Sequence, residues 1–139
     1  MHIDPATPFG ERVARRLRED EIGWLTTVGP DRTPQPSPVW FLWDGATFLI
    51  YSQPGTPKLR NVARTPRASL HLNSDDRGDD IIVLVGDARF DADQPAADQV
   101  AAYLAKYRDG IARIGLTPES FATAYRAAIR LTPTALRGH

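Results

Sequence analysis

Three prolines at alternate positions begin the segment "PQPSPVWFLW", residues 34–43, and they limit the kind of sheet that this chain can form. The rest of the segment is aromatic and aliphatic, which is typical of a strand. Proline has no backbone N–H, so this strand cannot donate a full ladder of hydrogen bonds. The sequence therefore predicts that the strand lies at an edge, or beside something other than another strand.

That free edge has two interpretations. A planar heterocycle could hydrogen-bond to the backbone groups of the segment, with Trp40 or Trp43 as an aromatic surface beside it. Alternatively, the prolines only protect an edge strand from pairing with other chains. The residues of the segment leave both interpretations open.

Hydrophobic periodicity and turn residues predict the remaining elements. A helix that Thr7 caps comes first, and three meandering strands follow between Ile22 and Ser52, with a hairpin turn at Asp44-Gly45. Two further strands follow, "RASLHLN" and "IIVLVGDARF", and Gly86 indicates a bulge or bend in the second of them.

The C-terminal part predicts a helix over residues 95–108 with Asp93 as its cap, a helix from Thr117 to about Ala127, and a last strand. Tyr103 and Tyr107 are expected to pack in a core or an interface. We therefore expect one domain over residues 1–139, of the α+β class and mainly antiparallel β. Its six strands would form a small split β-barrel with flanking helices.

Composition excludes several classes of function. Seventeen basic and seventeen acidic residues balance, so net charge indicates neither a nucleic-acid partner nor an anionic membrane. No cysteine is present, and the three histidines are too scattered for a metal site or a serine triad. No apolar run is long enough to span a bilayer and the N-terminus is unlike a signal peptide, so we expect a cytoplasmic protein without a membrane partner.

The segment "YSQPGTPKLRNVARTPRASL", residues 51–70, carries the strongest indication of a binding site. Thr56-Pro57 is typical of a helix start, and a short helix to Arg64 would direct its first amides and Lys58 toward a phosphate. Asn61 could donate its amide to the same ligand. The alternative is a solvated basic surface around an ordinary connection, and no known phosphate-loop pattern separates the two.

Together, "WLTTVGPDRTPQPSPVWFLWDG", "LIYSQPGTPKLRNVARTPRASL" and "VLVGDARF" resemble the pyridoxamine 5'-phosphate oxidase-like split-barrel family. More narrowly, they resemble its actinobacterial branch of deazaflavin (coenzyme F420)-dependent reductases. The resemblance covers roughly residues 9–90, and "LTPTALRG" is similar to the closing strand of that branch. It implies a homodimer with two cofactor sites at the interface.

The resemblance also implies which residues bind the cofactor. Lys58 matches the residue that holds the phosphate, Asn61 a polar contact beyond it, and Tyr51-Ser52 the pair beside the ring. The backbone of residues 36–40 matches the strand against the ring, so the full predicted set is Pro38, Val39, Trp40, Tyr51, Ser52, Lys58 and Asn61. Ile81 stands where pyridoxal-phosphate-forming members carry Gln, and their C-terminal substrate residues have no counterpart here. Coenzyme F420 is therefore implied ahead of FMN.

The implied reaction is hydride transfer from reduced deazaflavin to an electron-poor acceptor of the quinone, enone or tetrapyrrole type. No side chain is required as acid or base, because solvent can supply the proton. Two alternatives stay open: an FMN-binding split-barrel oxidase or reductase, and a non-catalytic carrier or sensor of flavin or deazaflavin.

Overall fold

In the computed structural model, which describes all 139 residues, four helices accompany one seven-stranded antiparallel sheet. The helices are α1 (Pro8–Glu19), α2 (Pro57–Arg64), α3 (Ala101–Arg113) and α4 (Pro118–Ala124). The strands are β1 (Ile22–Val28), β2 (Pro34–Trp40), β3 (Leu42–Trp43), β4 (Phe48–Ser52), β5 (Arg67–Leu72), β6 (Ile82–Phe90) and β7 (Ala127–Gly138). None of the helices has the length and apolar character needed to cross a bilayer.

The order of strands in the sheet is β2-β1-β5-β6-β7-β4-β3, so β2 and β3 are the two edges. Only Phe41 separates these two strands along the chain. Opposite edges of a sheet can be one residue apart only if the sheet curls until the edges approach each other. The result is a split barrel, which confirms the predicted fold class, with seven strands rather than six because the ladder breaks at Phe41.

The proline-rich strand β2 is an edge strand, as its sequence predicts. It pairs with β1 alone, and Pro34, Pro36 and Pro38 lie opposite Val28, Thr26 and Trp24. The predicted meander of three strands is wrong. Instead of pairing with β2, β4 pairs with β7 and β3, since the proline side of β2 has no N–H groups to offer a second neighbour.

Gly86 lies at a bulge between β6 and β7, which confirms the prediction for that glycine. Val85 faces Ala135 and Gly86 faces Pro133, so Thr134 is the extra residue. A side-chain carbon at Gly86 would lie 2.0 Å from the carbonyl oxygen of Thr132. Only glycine therefore allows this close approach of the two strands.

Two hydrophobic clusters lie on opposite faces of β4, and they explain why this strand is buried along its whole length. Phe48 and Ile50 belong to the cluster inside the barrel, which α1 and α2 help to cover. Leu49 and Tyr51 belong to a second cluster that α3 and α4 form with the outside of the sheet. The C-terminal helices therefore cover the outer face of β4 and β7.

The predicted helix over residues 95–108 begins later than expected, and Asp93 is not its cap. A 3-10 turn (Ala97–Gln99) precedes α3, which runs from Ala101 to Arg113 with Val100 at its N-cap. The Tyr51 hydroxyl donates to the carbonyl of Pro95 at 2.6 Å and so attaches this segment to β4 in a non-helical form. The helix after Thr117 does form, with a Thr117–Ser120 capping box, and it ends at Ala124.

Candidate functional site

A cleft of about 330 Å³ opens beside the edge strand β2; we call it the main cleft. It lies between β2, the end of β4, the start of α2 and the two C-terminal helices. Its lining residues are Pro38, Val39, Trp40, Tyr51, Ser52, Gln53, Thr56, Lys58, Tyr103, Ile114, Phe121 and Tyr125. Six of the seven residues predicted to bind a cofactor are therefore brought together, and Asn61 is not among them. That they bind a cofactor stays a prediction.

The free side of β2 presents a particular set of backbone groups, and the part from Pro38 to Trp40 lines the main cleft. Because proline cannot donate, the ladder to β1 must use Gln35, Ser37 and Val39, and the prolines have their backbone groups on the other side. Carbonyl oxygens of Pro36 and Pro38 therefore face the free edge. The N–H of Trp40 follows on the same side, since strand positions alternate. The Pro38 carbonyl and the Trp40 N–H form an acceptor and a donor side by side, which suits the N–H and one carbonyl of a planar imide.

Lys58 is the only charged residue of the main cleft. Its side chain is half-buried, and burial lowers the pKa of its ammonium group. Its ammonium takes part in none of the ion pairs or hydrogen bonds of the structure, although most arginines in the chain have a partner. An ammonium group held partly out of water without an anion is a suitable site for one.

The start of α2 adds hydrogen-bond donors beside Lys58. Thr56 is the N-cap, but its side chain makes no capping bond to the first turn. Its Oγ1 lies 3.1 Å from Oγ of Ser52 instead, and Ser52 donates to the carbonyl of Gln53 at 2.8 Å. The amides of Lys58 and Leu59 precede the first intrahelical donor, so the helix start can receive an anion.

A second, polar cleft of about 240 Å³ continues from the other side of Lys58. Its walls contain no hydrophobic side chain apart from prolines, and they are Thr27, Gln35, Pro36, Ser37, Pro57 and Lys58. Lys58 therefore stands between an aromatic cleft and a polar one. This arrangement suits a ligand with a planar ring and a polar, anionic tail.

Asn61 lies beneath this polar cleft and is 2% exposed. Its amide nitrogen donates to Thr27 at 3.0 Å and to Gln35 at 2.8 Å, and its amide oxygen accepts from Arg64 at 2.9 Å. Both amide hydrogens are therefore used within the protein. Asn61 joins α2 to β1 and β2 in this structure. A direct contact with a ligand stays a prediction, and it would require the Asn61 side chain to rotate away from these partners.

Aromatic residues form one wall of the main cleft. The indole of Trp40 stacks on Tyr107, with ring centroids 4.7 Å apart, and on Phe121 at 5.6 Å. Gly110 permits this packing, because a side-chain carbon there would lie 3.1 Å from the indole. Trp40 is thus held by the helices, while Trp43 packs on Phe48 and lies outside the cleft.

Sequence reasoning missed the part of the main cleft that α3 and α4 contribute. These residues are Tyr103, Ile114, Phe121 and Tyr125, with Gln53 and Thr56 from the β4–α2 connection. The signal was the helical spacing of the tyrosines, which predicted a core without indicating a cavity beside it. Among the described residues, no three acidic or histidine side chains converge as metal ligands. His71 stacks beside Trp24, with centroids 6.3 Å apart.

A curled antiparallel sheet with an open cleft at its edge strand defines the class of split-barrel proteins. A family model described as pyridoxamine 5'-phosphate oxidase matches residues 9–139, and the chain belongs to this family. The family typically binds a flavin or a deazaflavin.

Solved structures share the fold at low sequence identity. A putative pyridoxamine 5'-phosphate oxidase from Listeria innocua is 21% identical over 91% of this chain and 94% of that one, with a TM-score of 0.66. An F420 reductase is 24% identical over 88% and 94%, also with a TM-score of 0.66. HutZ, a heme storage protein from Vibrio cholerae, is 14% identical over 99% and 95%, with a TM-score of 0.63. Proteins with different ligands therefore share this fold, and the site must decide the function.

Proposed function

We propose that this protein is an F420-dependent reductase that transfers a hydride to an electron-poor small molecule of the quinone, enone or tetrapyrrole type. The observation that carries the proposal is the half-buried, unpaired Lys58 at the junction of the aromatic and polar clefts. A cofactor with a planar ring and a phosphate-bearing tail matches both sides of that lysine.

The residues of the two clefts fit such a cofactor. Lys58 and the first amides of α2 would hold the phosphate, and a charge-assisted hydrogen bond there contributes about 1.5–3 kcal/mol. The backbone of Pro38 to Trp40 would orient the ring, with Tyr51 and Ser52 closing the site at the end of β4. The polar cleft would receive the rest of the tail.

A bound reduced deazaflavin supplies the hydride, and this chain supplies binding and orientation. The aromatic wall keeps water from the apolar part of the cleft and leaves space for the acceptor. Tyr51 and Ser52 have their hydroxyls engaged by protein oxygens, so neither is free to act as an acid in this structure. Solvent would supply the proton.

FMN is the alternative cofactor, since both ligands combine a tricyclic ring with a phosphate. The preference for F420 rests on the sequence resemblance, including Ile81 in place of Gln. Ile81 lines neither cleft and exchanges both backbone hydrogen bonds with His139. An FMN-dependent oxidase or reductase that uses the same site is therefore the alternative function.

The test is a fluorescence titration of the purified protein with F420 and with FMN. We expect saturable binding of F420 that is at least tenfold tighter than binding of FMN. Stronger binding of FMN would replace the proposed cofactor, and binding of neither would contradict the proposal. If menadione did not accelerate the oxidation of bound reduced F420, a non-catalytic carrier or sensor would be favoured instead.

The proposal includes a homodimer with the sites at its interface. Ile114 lines the main cleft and is 45% exposed, and Phe90 at the end of β6 is 52% exposed. Burial of such large, exposed apolar side chains under a ligand or a second chain is favourable. Light scattering coupled to size-exclusion chromatography tests this, and a mass of about one chain at micromolar concentration would contradict it.

The heme storage protein among the structural neighbours raises heme as another ligand. Tyrosine is the only type of heme-iron ligand among the lining residues of the main cleft, and the Tyr51 hydroxyl is already bonded to the Pro95 carbonyl. Nothing else in the cleft favours a porphyrin over a smaller tricyclic ring. We therefore do not extend the proposal to heme storage.

A further inference from the structure

The hydroxyl of Tyr103 is the one buried side-chain polar atom in the protein that has no hydrogen-bond partner. Tyr103 is completely buried on α3, and it also lines the main cleft. The neighbouring tyrosine hydroxyls are satisfied: Tyr51 donates to the carbonyl of Pro95, and Tyr107 is bonded to the backbone of Phe41. Buried polar groups without partners are rare in folded proteins and are costly, so this one needs an explanation.

The surroundings of Tyr103 define the ligand chemistry. Its ring packs against Tyr51 with an interplanar angle of 88° and near Phe121 at a centroid distance of 5.9 Å. Burial and the nearby phenols raise the pKa of its hydroxyl, which therefore stays protonated at neutral and mildly alkaline pH. The hydroxyl is thus a hydrogen-bond donor within an aromatic, uncharged surrounding. It suits a neutral planar molecule that carries an oxygen acceptor.

We propose that a small turn of the Tyr103 side chain into the main cleft lets its hydroxyl donate a hydrogen bond to a carbonyl oxygen of the hydride acceptor. Tyr103 would then select carbonyl-bearing planar molecules over hydrocarbons of the same shape. The inference rests on the proposed function in one respect: the cofactor takes the end of the cleft formed by Lys58 and β2. The wall of Tyr103, Ile114, Phe121 and Tyr125 is then left for the acceptor. Tyr103 is a specificity-determining residue in this assignment.

The experiment compares two probes of matched shape on the cofactor-free protein. Menadione carries two carbonyl oxygens, and 2-methylnaphthalene has the same ring system and methyl group without them. The absence of cysteine removes thiol addition to the quinone as a side reaction. Dissociation constants of both probes are measured by ligand-observed NMR for the wild type and for Tyr103→Phe.

We expect Tyr103→Phe to weaken menadione binding about tenfold and to leave 2-methylnaphthalene binding unchanged, because only menadione loses a hydrogen bond. 2-Methylnaphthalene is the internal control, since any change in the shape of the cleft that the substitution causes would alter its binding as well. Stability is the second readout. Tyr103→Phe should be at least as resistant to urea as the wild type, because it removes an unsatisfied group.

Several results would overturn the assignment. They are equal effects of Tyr103→Phe on both probes, no effect on menadione, no menadione binding by the wild type, or a clear loss of urea resistance. The last result would mean that the hydroxyl already has a partner. None of these measurements uses a cofactor, so they can fail while the F420 titration succeeds, or succeed while it fails.

Discussion

The hydroxyl of Tyr107 accepts a hydrogen bond from the backbone N–H of Phe41 at 2.8 Å, in the one-residue gap between β2 and β3. The same hydroxyl lies 2.9 Å from the carbonyl of Phe41 and 2.7 Å from that of Glu21. One side chain of α3 thus satisfies backbone groups where the sheet ladder is interrupted. Tyr107 also stacks on Trp40. The same residue therefore stabilises the gap between β2 and β3 and a wall of the main cleft.

Tyr107→Phe should lower the free energy of unfolding by about 1–3 kcal/mol, because it leaves the buried N–H of Phe41 without its acceptor. Urea denaturation followed by circular dichroism measures this loss. Tyr103→Phe is the control, as it removes a hydroxyl of the same helix that has no partner. Equal stability of the two variants would contradict the assigned role of Tyr107.

Burial of Lys106 should make the free energy of unfolding depend on pH. Its ammonium donates to the carbonyl of Phe41 at 2.9 Å, and burial lowers its pKa from 10.5 to about 8. Between pH 8 and pH 10 the unfolded chain therefore binds more protons than the folded chain, and stability should rise with pH. Lys58 contributes in the same direction. Above pH 10 stability should fall, because burial raises the pKa of Tyr103 and Tyr107 and the unfolded tyrosines lose their protons first.

The measurement is urea unfolding of the wild type and of Lys106→Met at intervals from pH 7 to pH 10.5. The variant should show a smaller rise between pH 8 and pH 10, since only Lys58 then contributes. An identical pH profile for the two proteins would show that Lys106 titrates normally.

Parts of the fold that depend on local backbone chemistry were predictable from sequence. The edge position of β2 follows from its prolines, and the bulge at Gly86 follows from the glycine itself. The gap at Phe41 was not predictable, because its partner Tyr107 lies 66 residues further along the chain. The late start of α3 likewise depends on a distant group, the hydroxyl of Tyr51 on the Pro95 carbonyl.

The candidate site likewise has a part that the sequence predicts and a part that it does not. The sequence of β2, β4 and the start of α2 indicates a group of residues that the structure brings to one cleft. Helical spacing predicts that Tyr103 is buried, but it cannot show that a cavity lies beside the ring. Asn61 illustrates the remaining difficulty: its place on α2 is clear from sequence, while its orientation depends on Thr27 and Gln35 in strands formed by other segments.

Asn61→Ala should lower the free energy of unfolding by about 1–3 kcal/mol, because Thr27, Gln35 and Arg64 each lose a buried or half-buried partner. Its effect on F420 affinity should be smaller than that of Lys58→Met, since both amide hydrogens of Asn61 are bonded within the protein in this structure. Thermal unfolding and the fluorescence titration provide the two readouts. Normal stability with a large loss of affinity would instead support the direct contact that the sequence predicts.

Lys58→Met should weaken F420 binding at least tenfold without lowering the free energy of unfolding. The loss of affinity follows from removal of a charge-assisted hydrogen bond to the phosphate. Stability should be unchanged or slightly higher, because burial of the ammonium without an anion opposes folding of the wild type.

Phosphate-free ligands isolate the role of this lysine. FMN and riboflavin differ only in the phosphate, and Lys58→Met should reduce the preference for FMN while leaving riboflavin binding unchanged. Arg67→Ala is the control, since Arg67 is an exposed cation on β5 that pairs with Asp87 outside both clefts. If Arg67→Ala weakened FMN binding as much as Lys58→Met, general electrostatic attraction would explain the affinity. If Lys58→Met weakened riboflavin and FMN equally, Lys58 would contact the ring end of the ligand and the phosphate would lie elsewhere.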